Sequence, residues 1–107
     1  NNYMLPNLSY IDEISDNDLD FKKKIIFIIK HEFPKEKEEF LLNYNSKKYF
    51  LASQNVHKLK HKINMLGLKK GFEIAVEFEN ELKKENISSY QDFIKVLEII
   101  NNYITNI

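Results

Sequence analysis

Apolar positions recur at three- and four-residue steps over most of the chain. The clearest stretch is 47–66, where Tyr49, Ala52, Val56, Leu59, Ile63 and Leu66 step by 3, 4, 3, 4 and 3. That period draws one narrow apolar stripe along an α-helix, of the kind that packs in a helical bundle. Gly67 follows as a helix-ending residue. A second helix is expected from about Lys69 to Lys84, with Leu68, Phe72, Ala75, Phe78 and Leu82 in one apolar arc. A third carries Tyr90, Phe93, Ile94, Leu97, Ile100 and Ile104. It is entered through a turn at Asn86–Ser89, where Ser88 and Gln91 have the spacing of a capping box.

Upstream, Asp16 to Asp18 offer N-caps for a helix from about Leu19 to Phe33. The run Ile25–Ile29 is apolar all round, but its Lys-rich flanks carry no turn signals, and length favours helix over strand. Pro34 is expected to end this helix or to kink it into a segment from about Lys35 to Tyr44, where Phe33, Lys37, Phe40, Leu41 and Tyr44 share a side. Asn45-Ser46 breaks the chain. Leu8, Ile11 and Ile14 step by three and suggest a short helical piece, preceded by a flexible arm over residues 1–7. Four long amphipathic segments on short connections predict an all-α fold. The expected architecture is an antiparallel four-helix bundle, up-down-up-down, with an additional short N-terminal helix, in one domain over residues 8–107.

Composition narrows the picture. Among 107 residues there are only two Gly and two Pro, too few for the many tight turns of a β-sandwich or barrel. The absence of Cys excludes disulfides and thiolate metal sites. No apolar run approaches the ~20 residues of a membrane span, and no signal-peptide layout opens the chain. A cytoplasmic monomer without membrane contact is the expectation. The chain begins with Asn1, as a piece of a longer protein would, and Met4 is a candidate native start.

Sixteen basic residues balance sixteen acidic ones, and every basic residue is Lys. Bidentate Arg recognition of guanine or phosphate is therefore missing, and no partnership with nucleic acid is expected. The balance is not uniform. Between His57 and Lys70 stand Lys58, Lys60, Lys62, Lys69 and Lys70 with no carboxylate among them. At about 100° per residue, His57 points roughly 140° away from the centre of its helix's apolar stripe. Lys60, His61 and Asn64 follow on that side, and Phe50 precedes it by two turns. An exposed imidazole in a cationic field suits a phosphoryl acceptor, because the ring offers a nucleophilic nitrogen near neutral pH and an ammonium stabilises the transferring group. Glu79 adds to this. It falls inside the apolar arc of its own helix, where a carboxylate needs a partner, and a ring N–H of His57 is a candidate donor.

The segment from His57 through Lys60 to Gly67 resembles the signature of histidine-containing phosphotransfer domains: a phosphorylatable His, an apolar residue at +2, Lys at +3, a small residue at +4 and Gly at +10. His57, Leu59, Lys60 and Gly67 match it. The lead-in from Leu8 to Asp16 also resembles the start of such domains, as does the acidic Glu79, 22 positions after His57. The likeness spans about residues 8–105. It departs at +4, where the bulky His61 replaces a small residue.

The resemblance implies a phosphorelay shuttle. His57 would accept a phosphoryl group from a receiver-domain aspartate and pass it to a second receiver. Lys60 would stabilise the phosphoryl oxygens and Glu79 would orient the ring. His61 and Asn64 would be secondary members of the site, and Phe50, Gln54 and Lys58 would dock the partner. Response-regulator receivers and a hybrid sensor kinase are the implied partners. No cofactor is implied on this chain, since Mg²⁺ belongs to the receiver.

Rival readings are weaker. His57 and His61 have the i, i+4 spacing of two metal ligands, but HKLKH lacks the Glu of an HExxH site, and clustered ammoniums repel a dication, so no metal is expected. A helical interaction module without transfer is the other alternative, against which the retention of His57, Lys60 and Glu79 tells. His31 reads as structural or solvated.

Overall fold

The structure, a computed structural model, describes residues 5–107. Among these there are five α-helices and no strand. They are α1 (Ser9–Ser15), α2 (Leu19–Asn45), α3 (Tyr49–Met65), α4 (Lys69–Leu82) and α5 (Tyr90–Thr105). Helix α3 packs against α2 and α4, α5 packs against α2 and α4, and α1 lies on α2.

The apolar stripes meet in one core. Ala52, Val56, Leu59 and Ile63 of α3 are fully buried, as are Ala75 and Phe78 of α4 and Phe93, Leu97 and Ile100 of α5. Helix α2 contributes Ile29, Phe33 and Phe40. The Phe40 ring reaches Phe78 and Phe93 at centroid separations of 6.0 and 5.3 Å, so one side chain ties three helices together. Aromatic pairs at such separations add to the burial of their area.

Scarcity of glycine shapes the connections. Asp16, Asn17, Lys47 and Glu85 adopt positive φ between helices, positions that a glycine-rich chain would give to glycine. Only at Gly67 does a glycine do so, with φ of 77° just past α3. There it accommodates the side chain of Asn7, which a Cβ would meet at 2.5 Å.

Two expectations are corrected. Pro34 neither ends α2 nor divides it, since the helix runs unbroken from Leu19 to Asn45. The ring sits on the exposed side, and buried Phe33 and Phe40 on either flank hold the helix to the core despite the lost backbone bond. The capping box of Ser88 and Gln91 does not form. Ser89, not Ser88, is the N-cap residue of α5, and its N–H and Oγ donate to Glu81 of α4 at 2.8 and 2.7 Å, while Ser88 Oγ donates to Asn86. At the end of the expected arm, the Asn7 N–H donates to the Leu66 carbonyl at 2.8 Å and Asn7 Oδ1 accepts from the Ser9 N–H. Residues 1–4 of that arm lie outside the described residues. By contrast, Asp18 caps α2 as expected, its Oδ1 accepting from the Phe21 N–H at 3.0 Å.

The apolar run in α2 is only half buried. Ile29 is in the core, whereas Phe27 and Ile28 are 67% and 48% exposed. Among the described residues no helix is long and apolar enough to cross a membrane.

Candidate functional site

The site is built on the facing surfaces of α3 and α4. The stripe that buries Val56 and Leu59 turns His57 and Lys58 outward, and both are exposed. On α4, Ala75 and Phe78 enter the core and carry Glu79 inward with them, leaving the residue 8% exposed. His57 Nδ1 lies 3.0 Å from Glu79 Oε2. Lys60 Nζ lies 2.9 Å from Glu79 Oε1, close enough for an ion pair but off the hydrogen-bonding direction, so it acts as a charge contact. Lys83 approaches Oε2 from one turn further along, at 3.8 Å.

These neighbours favour the ionised form of Glu79. Burial would raise its pKa, but the contacts of Lys60 and His57 outweigh it and hold the carboxyl below the ordinary value. A deprotonated carboxylate can only accept, so the proton on the shared contact belongs to His57 Nδ1. In the neutral ring Nε2 then carries the lone pair, and the imidazole is about half exposed.

A groove of about 710 Å³ opens beside the ring, between α2, α3 and α4. Phe50, Gln54, Lys58 and His57 line it from α3, and Glu79 borders it from α4. Phe50 is 62% exposed, an uncommon state for a Phe without a partner. Five residues singled out from the sequence thus share one concavity. Asn64 is exposed but lies outside it, and His61 meets His57 edge to face with ring centroids 4.9 Å apart. His31 is exposed and stacks on Phe27 at 5.6 Å.

The acid-free cationic stretch is not acid-free in space. Lys60 is answered by Glu79, and Lys62 lies 3.0 Å from both Glu32 and Glu36 of α2. Carboxylates far away in the chain reach these lysines because α2 and α4 flank α3 on both sides. Lys58 makes no such pair among the described residues.

Two features of the site were not singled out from the sequence. Lys83 was legible as the i+4 neighbour of Glu79. The bond from Asn43 Nδ2 to Asn55 Oδ1, at 2.7 Å, was not, because it joins α2 to α3. It forms part of the groove wall together with Ser53 and Glu39. No cluster of three or more His, Cys, Asp or Glu placed to hold a metal occurs among the described residues. No family model matches the chain, and no curated protein and no solved structure is significantly similar to it.

Proposed function

We propose that the chain is a histidine phosphotransfer domain, with His57 as the residue that carries the phosphoryl group. The observation that carries this reading is the bond from His57 Nδ1 to a nearly buried Glu79 carboxylate, with the other face of the ring open beside a groove. In the transfer, the Nε2 lone pair attacks the phosphorus of an aspartyl phosphate on a receiver domain. The bond from phosphorus to the aspartate oxygen breaks, and the aspartate leaves as carboxylate with that electron pair. The ring becomes cationic and keeps its Nδ1 proton against Glu79, which stabilises the charge. Lys60 and Lys83 supply positive charge to the same cluster, and Phe50, Gln54 and Lys58 offer the docking surface.

The helix contacts support an up-down-up-down bundle. Asn43 meets Asn55 and Glu36 meets Lys62, so α2 and α3 run in opposite directions. Phe78 packs on Phe93, and a side chain at Gly71 would meet Val96, which reverses α4 against α5. Tyr44 stacks on Tyr90 at 4.1 Å while Lys30 reaches the Ile107 carbonyl, which reverses α2 against α5.

The test is acceptance of phosphate from a panel of phosphorylated receiver domains, and from phosphoramidate as a direct donor. An acid-labile, alkali-stable label is expected on the parent chain and not on His57→Gln. Equal labelling of the variant overturns the assignment and favours a helical interaction module.

A further inference from the structure

We propose that His57 and His61 together form an open, two-imidazole site for a divalent transition ion of the zinc class. The two residues are one helical turn apart, both exposed, with ring centroids separated by 4.9 Å. An ion about 2.1 Å from a nitrogen of each ring, at a near-tetrahedral angle, places two imidazole centroids roughly 5 Å apart. The rings are perpendicular, at 88°, so one of them turns to present its nitrogen. His61 is free to do so, since no hydrogen bond among the described residues holds its ring.

His57 is already fixed in the form a metal requires. Its Nδ1–H is directed to the Glu79 carboxylate, leaving Nε2 as the ligand atom. A carboxylate behind a ligating imidazole sets the tautomer and raises the basicity of the other nitrogen. The electrostatic objection raised by five neighbouring lysines is partly offset in three dimensions. Lys60 is neutralised by Glu79, and Lys62 by Glu32 and Glu36. Lys83 shares the single Glu79 carboxylate with Lys60, Lys70 lies 3.8 Å from Glu73, and Lys58 and Lys69 make no such pair among the described residues. The chain supplies two ligands only, so water or a partner's side chain completes the coordination. Imidazole ligands favour zinc or copper over the hard ions Mg²⁺ and Ca²⁺.

The site stands without the phosphotransfer reading. If that reading also holds, ion and phosphoryl group exclude one another, because both take Nε2.

The experiment is titration of the chain with zinc sulfate, followed by ¹H–¹⁵N spectra of the imidazole rings. One ion per chain is expected, with the His57 and His61 resonances moving together, those of His31 still, and none moving with Mg²⁺. His61→Ala, at an exposed position that leaves the fold intact, should weaken binding at least tenfold. Glu79→Gln should weaken it about 10–100-fold. Zinc binding that is unchanged in His61→Ala, or that moves only His31, overturns the proposal. The readout involves no phosphate, so a chain that takes zinc but fails the labelling assay refutes the proposed function and leaves this site standing.

Discussion

Nδ1 of His57 lies 3.0 Å from Oε2 of Glu79, joining an exposed ring to a nearly buried carboxylate whose pKa its neighbours hold below the ordinary value. The unfolded chain lacks those neighbours, so Glu79 there has the ordinary pKa of about 4.3. Its folded pKa is lower, so the unfolded state binds more protons across the interval below that value. Glu79 therefore contributes stability that is present above about pH 5 and is lost as pH falls through its folded pKa. Urea unfolding of the parent between pH 7 and 3 should show this decline. Glu79→Gln should flatten the part that belongs to this residue, and an unchanged slope would remove Glu79 from the account.

Lys60→Ala is expected to slow phosphoryl transfer roughly 10–100-fold, by removing positive charge from the site. The side chain is only 15% exposed and faces Glu79, so the same change should cost about 1–3 kcal/mol of stability. Transfer kinetics alongside denaturant unfolding separate the two effects. Unchanged kinetics with lowered stability would leave Lys60 a purely structural role.

Lys62 bridges α3 to α2 through Glu32 and Glu36, and it is 12% exposed. Lys62→Met keeps the length of the stem but removes the charge. It leaves the half-buried Glu36 without its cation, and a loss of about 1–3 kcal/mol is expected in thermal or urea unfolding. Restoring much of this with Glu36→Gln in the same chain would show that the cost lies in the orphaned carboxylate.

Gly67→Ala should destabilise the chain by about 1–2 kcal/mol, since φ of 77° is unfavourable for an L side chain. The added methyl would also press on Asn7, whose N–H donates to the Leu66 carbonyl. Combining it with Asn7→Gly should recover only the steric part.

Pro34→Ala should stabilise α2 by up to about 3 kcal/mol, because it restores a backbone donor inside a continuous helix at an exposed position. Greater freedom of the unfolded chain offsets some of that gain. A rise in the unfolding midpoint with no change in helical circular dichroism is the expected observation.

Periodicity alone made the helices legible. The step pattern that buries Ala52, Val56, Leu59 and Ile63 also turned His57 outward, and the arc around Ala75 and Phe78 placed Glu79 inward. Both follow from 3.6 residues per turn and need no knowledge of neighbours. Where α2 would end was not legible in the same way. Proline's local cost is fixed, but whether the helix survives depends on how firmly Phe33 and Phe40 are held by the core.

Pairing belongs to the tertiary structure. In the chain, the lysines after His57 have no acid beside them. In space, Glu79, Glu32 and Glu36 reach them from two other helices. The partner of the Ser89 N–H at the start of α5 is likewise Glu81 of another helix, and not the nearby Gln91. Local spacing determines which way a side chain points, because backbone geometry repeats along the helix. Which charge answers it depends on helix packing, and Coulomb interactions act across space irrespective of position in the chain.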